Sequence, residues 1–288
     1  MRKQETVWAT AIFLGVATLV CIRYGPHPLR TVDPSSQREK RRGRTFSPKD
    51  FYKLYLPVNP KMPGPGDYGA RKLKENANID CLIDVGSNVG SMSNIALSHP
   101  TIRKCLAIEP LPNHLKSLYA MAQNPQMISR LQVLPYALSD KRGPVQMTNE
   151  LKNKFYTAYV VRADSKPGIP QLNGVKILPA ITFMDLTPFV VDCNAVFIKV
   201  DIQGHECWAF KEQSEFFRKV NVKYVVMEWN LISRTNNQCN IDMVEMFQTL
   251  GYQAYMLNDS KVTEHDLWKS LDGADANLYD IAWVKGKV

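Results

Sequence analysis

The stretch CLIDVGSNVGSMSNIAL, Cys81–Leu97, begins as an unbroken apolar run, bends through two glycines and an asparagine, and continues with helix-like spacing. A strand, a tight turn and a helix in that order form the repeating unit of a parallel sheet covered on both faces. In such sheets ligands bind beyond the carboxyl ends of the strands, and there the stretch places Asp84, Gly86, Ser87, Asn88 and Gly90. Gly86 lets the backbone bend close to a ligand, and the helix amino terminus offers free N–H groups to an anion. A dinucleotide fingerprint needs G-x-G-x-x-G, whereas these glycines are spaced G-x-x-x-G with Asn88 in the second slot, which excludes a pyrophosphate site.

Working outward, further strand-like runs occur at Cys105–Ile108, Leu131–Leu134, Ala195–Val200 and Val222–Met227. Helix-like stretches are expected at Ser91–Ser98, Asn113–Gln123, Glu206–Phe217 and Asp242–Leu250. The segment PKMPGPGDYGARKL, from Pro60, is too rich in Pro and Gly to be a single helix. Tyr252–Leu257 and Leu278–Gly286 are strand candidates with no convincingly periodic helix between them, which predicts an antiparallel end to the sheet. Between Gly143 and Pro179 the pattern is irregular and suits an inserted hairpin or substrate-facing loop.

Three more strand ends carry acids. Glu109, followed by Pro110 in CLAIEPLP, can accept two hydrogen bonds from a ribose diol. With Asp84 it points to a nucleoside ligand lacking a pyrophosphate, a description that suits S-adenosylmethionine. FIKVDIQGHE brings Lys199, Asp201, His205 and Glu206 together, and YVVMEWN adds Glu228. Asp201 can position the donor or acceptor, and His205 can serve as a general base because its ordinary pKa lies near neutrality. Helix capping is the competing role for Asp201 and Glu206. A metal held by Asp201, His205 and Glu228 has no ligand spacing in its favour, and none is expected.

The net charge of +9 over 288 residues raises the question of nucleic acid. Residues 23–46 concentrate seven Lys and Arg against Asp33 and Glu39, so the remainder is nearly balanced and no nucleic-acid partner is expected. Before this basic stretch, Val7–Ile22 is an uncharged apolar run flanked by Arg2, Lys3 and Arg23. It is short but workable as an uncleaved signal anchor, with a cleaved signal peptide as the alternative. The predicted organisation is an anchor at 1–24, a basic flexible stem at 25–46, an extension at 47–78 and the main domain at 79–288. The stem run Arg38–Arg44 also suits an anionic-lipid patch or a dibasic processing site. Positive charge after the span favours a cytosolic domain, yet many short amino-terminal anchors place the domain in the lumen. A single-pass protein with its domain in the Golgi or endomembrane lumen is the expectation.

Six scattered cysteines show no C-x-x-C pair, and Cys81, Cys105, Cys193 and Cys207 read as buried reduced thiols unless the compartment is oxidising. Asn258 in NDS is the only N-x-[ST] sequon.

Five ordered segments, LIDVGSNVGSMSNIAL, CLAIEPLPNHLKSL, VLPYALSD, FIKVDIQGHE and YVVMEWN, resemble the FkbM family of S-adenosylmethionine-dependent methyltransferases over residues 79–285. The resemblance implies a doubly wound α/β fold, the seven-strand Rossmann-like class I methyltransferase sheet with its last strand antiparallel. It also implies O-methylation of a hydroxyl on a sugar, glycan or small molecule. By position, Asp84, Gly86, Ser87, Asn88 and Gly90 would surround the methionine part of the cofactor, and Glu109 and Pro110 the ribose. Ala137 and Leu138, in a segment running to Asp140, would border the adenine, and Asp201 would lie nearest the methyl. Gln203 departs from the family, which often has Glu in D-x-E-G, and leaves a membrane-tethered scaffold without turnover as the alternative reading. The oligomeric state is not legible.

Overall fold

The computed structural model describes residues 63–148, 159–161, 176–229, 237–271 and 280–286, all within a unit spanning Phe46–Val288. The expected anchor, the stem and residues 47–62 of the extension lie outside the described residues. Among the described residues, no helix is long and apolar enough to cross a membrane.

The central sheet has seven strands. Those from the first half of the chain are β1 (Cys81–Val85), β2 (Lys104–Ile108) and β3 (Leu131–Leu134); those from the second half are β8 (Val196–Val200), β9 (Val222–Glu228), β10 (Tyr252–Met256) and β11 (Asp280–Lys285). Their order is β10-β11-β9-β8-β1-β2-β3. The pairings of β3, β2, β1, β8 and β9 are parallel, while β11 lies antiparallel between β9 and β10. The antiparallel finish agrees with the sequence reading. The chain moves outward from β1 through β2 and β3 and returns to β8 on the other side of β1. The β1/β8 boundary is therefore the switch point where a ligand is expected.

Strands β1 and β8 are buried at every position, so alternate residues feed two apolar layers. Cys81, Ile83 and Val85 join Val196, Ile198 and Val200 in the larger layer, whereas Leu82 and Phe197 belong to the other. The second layer is covered by α1 (Pro65–Glu75), α2 (Ser91–Leu97) and α3 (Pro112–Ala122), through Tyr68, Leu73, Met92, Leu115 and Leu118. The first is covered by α4 (Phe183–Val190), α5 (Glu206–Phe210), α6 (Ser214–Lys219), α7 (Asn237–Thr249) and α8 (Glu264–Leu271). Phe247 occupies the middle of an aromatic stack there, 4.8 Å from Trp283 and 5.1 Å from Phe210 between ring centroids.

Four expectations change. The Pro/Gly-rich segment does yield α1, because Pro65 sits in its first turn, where no intrahelical N–H is needed and the fixed φ suits a helix. The single helix expected over Glu206–Phe217 is broken into α5 and α6 by Glu212 at φ 61°, which lets Phe210 and Phe216 both reach Phe183, at 5.0 and 5.2 Å. A helix, α8, does separate the last two strands. Its start is capped by Thr263, whose Oγ1 accepts the Asp266 N–H at 3.1 Å. Three of the four cysteines read as reduced are disulfide-bonded, Cys81 to Cys193 and Cys207 to Cys239, while Cys105 is a buried thiol.

The expected insertion is a second sheet of β4 (Ala137–Leu138), β5 (Gly143–Thr148), β6 (Tyr159–Val161) and β7 (Lys176–Ile181), ordered β4-β7-β5-β6. Strands β5 and β6 are antiparallel, as in a hairpin, and residues 149–158 and 162–175 lie outside the described residues.

Candidate functional site

The turn after β1 is held from several sides. Gly86 (φ 68°) and Ser87 both donate backbone N–H groups to Ile108 O, at 3.0 and 3.1 Å, and Ser87 Oγ donates to Asp84 O at 2.5 Å. A Cβ on Gly86 would collide with the Asp201 carbonyl, so the β1 turn and the chain leaving β8 touch backbone to backbone. Gly90 (φ 89°) has a different task. A Cβ there would meet Leu118 Cδ2 at 2.8 Å, which makes this glycine a close-packing residue against α3.

Glu109 closes β2 and is 4% exposed. Its Oε2 accepts the Asn88 N–H and its Oε1 the Leu111 N–H, each at 2.9 Å, with His114 Nδ1 3.3 Å from Oε1. The carboxylate thus fixes the β1 turn against the end of β2, across the half-buried Pro110. Each oxygen retains a lone pair, so a diol can still be bound.

At the β1/β8 boundary, Asp84 is fully buried and accepts Ser93 N–H and Oγ–H at 3.0 and 2.7 Å. Lys199 Nζ donates to Gly86 O at 2.9 Å and lies 3.5 Å from Asp201 Oδ2 and 3.8 Å from Asp84 Oδ1. Burial pushes the Asp84 carboxyl up, against the pull of Lys199 and the Ser93 hydrogen bonds. Burial also acts to lower the Lys199 pKa, but Asp201 and Asp84 outweigh it and hold the ammonium above its ordinary value.

Beyond Lys199 the chain turns through Gln203 at φ 57°, whose Nε2 donates to Asp201 Oδ1 at 2.7 Å and to Glu228 Oε2 at 3.0 Å. A neutral amide thereby holds two carboxylates together without a proton between them. A glutamate at this position would put a third acid there. Asp280 stands opposite Glu228 in the β11/β9 register, and burial, with Asp201 adding to it, pushes its carboxyl up to about 7. The Asp201 side chain, 39% exposed, is the solvent-facing member of the Lys199–Asp201 pair.

His205 and Glu206 lie deeper. His205 is 3% exposed and its Nε2 is 3.0 Å from Ser139 Oγ, which also donates to Asp140 Oδ1 at 3.0 Å. The ring therefore ties the start of α5 to the segment after β4. Glu206 is 1% exposed and its Oε1 accepts the Ile202 N–H at 2.9 Å, closing the loop that carries Asp201 and Gln203. Burial pushes its carboxyl up to about 7. The Ala137 and Leu138 side chains are buried in apolar clusters, so this segment can meet a ligand only through its backbone or through Ser139 and Asp140.

Of the expected site residues, the structure brings Asp84, Gly86, Ser87, Asn88, Glu109, Asp201 and Glu228 to one rim, and places His205 behind it. Sequence reasoning gave Lys199 no role, treated Gln203 only as a departure from the family and passed over Asp280. Lys199 had a detectable signal, as a charged residue inside a buried strand. Asp84 Oδ1, Asn88 Oδ1 and His114 Nδ1 are buried without a hydrogen-bond partner. Buried polar atoms without a hydrogen-bond partner, beside a turn that approaches without a Cβ, fit a polar cofactor. Among the described residues, the one grouping with metal-ligand proximity is Asp80, Cys81 and Cys193. Its two sulfurs are joined in a disulfide and Asp80 is bound by Arg103 at 2.7 Å, which leaves no ligand set.

A seven-stranded sheet with an antiparallel β11 between β9 and β10, and acids at the ends of β1, β2 and β8, defines the Rossmann-like methyltransferase fold. Residues 84–255 match the Methyltransferase FkbM domain, and the chain belongs to that family. A FkbM methyltransferase structure from Methylobacillus flagellatus is 13% identical at a TM-score of 0.46, covering 83% of this chain but only 50% of its own. A precorrin-6y C5,15-methyltransferase from Geobacter metallireducens is also 13% identical, at a TM-score of 0.36, covering 80% and 94%. A Streptococcus pneumoniae protein solved with S-adenosyl-L-methionine is 12% identical at a TM-score of 0.37, covering 76% and 72%. No curated protein matches the chain.

Proposed function

We propose that this protein is a membrane-anchored methyltransferase that moves a methyl group from S-adenosylmethionine to a hydroxyl oxygen of a sugar, glycan or small molecule. The observation that carries the proposal is the convergence, at one sheet rim, of the Asp84–Gly90 turn, Glu109 and the Lys199–Asp201–Gln203–Glu228 cluster. The anchor is residues 7–22, on their apolar composition.

Bound S-adenosylmethionine supplies an electrophilic sulfonium methyl, so the protein's work is alignment and removal of one proton. Glu109 would hold the ribose diol, and Asp84 with Lys199 sets the turn that would receive the methionine end. Asp201, oriented by Lys199 and Gln203, would position the reactive end of the donor. Glu228 stands across the same amide and takes the proton of an acceptor hydroxyl. His205, engaged with Ser139 and buried, serves as a positioning residue for the loop rather than as the base. The occupation of Asp201 by both Lys199 and Gln203 favours one alternative, cofactor binding without turnover.

One experiment separates the two. Membranes carrying the full chain are supplied with methyl-labelled S-adenosylmethionine and a cell extract. The proposal expects a labelled, base-stable ether in a hydroxyl-bearing product. Cofactor retention with no labelled product across such extracts would favour the scaffold.

A further inference from the structure

The disulfides and the single sequon bear on where this domain matures. Cys81 on β1 is bonded to Cys193 in the turn before β8, with Cα atoms 6.1 Å apart. Cys207 on α5 is bonded to Cys239 on α7, with Cα atoms 5.6 Å apart. Both separations lie in the range a disulfide requires, and each bond joins segments already packed into the same apolar layer. Four of the five cysteines among the described residues are thus paired, and only the buried Cys105 is free. Structural disulfides persist in oxidising compartments and are rare where glutathione keeps thiols reduced.

A second observation is independent of the cysteines. Asn258 lies exposed in the turn that follows β10, and its Oδ1 accepts the Ser260 N–H at 2.9 Å. The turn is pinned through Asp259, which pairs with Arg71 and with Lys72 Nζ at 3.0 Å, and Arg71 also donates to Leu257 O at 2.8 Å. The sequon is therefore presented on a fixed surface turn, clear of the buried core. The basic stretch after residue 22 favours a cytosolic domain by the positive-inside rule, but domains of this length translocate largely regardless of flanking charge.

We infer that the domain matures in an oxidising lumenal compartment, with Cys81–Cys193 and Cys207–Cys239 formed there and Asn258 carrying an N-linked glycan. Each disulfide forms as two thiols lose two protons and two electrons to a disulfide oxidant of the compartment, by way of a mixed disulfide. At Asn258, the Nδ2–C1 bond forms as a lipid-pyrophosphate-linked oligosaccharide gives up its lipid pyrophosphate, and one amide proton is lost. The inference does not depend on methyl transfer.

The test uses the full chain expressed in cultured animal cells and lysed into a thiol-alkylating reagent. Non-reducing peptide mapping is expected to find both linked cysteine pairs with Cys105 unlinked. Glycosidase treatment is expected to lower the apparent mass by one glycan, a shift absent from Asn258→Gln and Ser260→Ala. Ser260→Ala keeps the backbone N–H that Asn258 accepts, so loss of the shift there reports the sequon and not the turn. Alkylation of all four paired cysteines together with no glycosidase shift would overturn the inference. Linked peptides without the shift would overturn Asn258 as the modified residue, and a shift with free thiols would overturn the disulfide assignment.

Discussion

Asp84 on β1 and Lys199 on β8 stand opposite one another in a parallel strand pair, with Nζ 3.8 Å from Oδ1. They occupy the same face as Leu82 and Phe197, and the residues that flank them across the sheet, Ala107 on β2 and Val226 on β9, are apolar. One charge pair inside that layer couples the stability of the sheet to the geometry of the site, because the same Lys199 also holds Gly86 O and lies beside Asp201.

Removing Lys199 leaves the Asp84 carboxylate buried without a counter-charge. Lys199→Met is expected to destabilise the fold by about 3–5 kcal/mol, as measured by urea unfolding at neutral pH. Adding Asp84→Asn should recover part of that loss, because the stranded carboxylate is gone. A double-variant loss equal to the sum of the separate Lys199→Met and Asp84→Asn losses would show that the two residues are not coupled.

The Gln203 amide donates to both Asp201 and Glu228. Gln203→Leu is expected to lower methyl incorporation at least about tenfold while changing S-adenosylhomocysteine affinity less than about threefold, since the proposed cofactor contacts lie at Glu109 and the Asp84–Gly90 turn. Gln203→Glu can donate only when protonated, so its activity should fall as pH rises. A flat pH profile for Gln203→Glu, matching wild type, would remove the bridging role.

Glu206 and Asp280 both have folded-state values raised to about 7 by burial. A carboxyl raised on folding binds its proton more tightly in the native than in the unfolded state, so stability falls as pH rises from about 4 to 7 and the full penalty applies above 7. Glu206→Gln should remove up to about 3 kcal/mol of that pH-dependent loss, measured as unfolding free energy at pH 5 and pH 8. An unchanged difference between the two pH values would place the effect elsewhere.

Phe247 is fully buried against Phe210, Phe217, Tyr252 and Trp283. Phe247→Ala is expected to cost about 3–5 kcal/mol in denaturant unfolding without altering the rim residues. A loss under about 1 kcal/mol would show that the aromatic stack closes over the gap.

The parallel core was legible because continuous apolar runs such as Cys105–Ile108 need burial on both faces, and the observed strands match the expected runs to within a residue or two. Helices α4 and α8 were missed although each begins with T-x-x-D, at Thr182–Asp185 and Thr263–Asp266. The caps are present, with Asp185 Oδ2 accepting the Thr182 N–H at 2.8 Å and Thr263 Oγ1 accepting the Asp266 N–H. Capping was the available signal, and periodicity in such short helices was too weak to replace it. Asp84, Glu109 and Asp201 could be read from strand ends. The bridging by Gln203 and the burial of His205 could not, because both depend on where a left-handed turn after β8 aims its side chains.

Calorimetric titration of the purified protein with S-adenosylhomocysteine measures cofactor binding at the sheet rim most directly. One-to-one binding is expected, weakened about a hundredfold by Glu109→Ala because its two charge-assisted hydrogen bonds, which fix the β1 turn, are lost. No heat of binding from a wild-type protein that unfolds cooperatively would rule out the methyl-donor site.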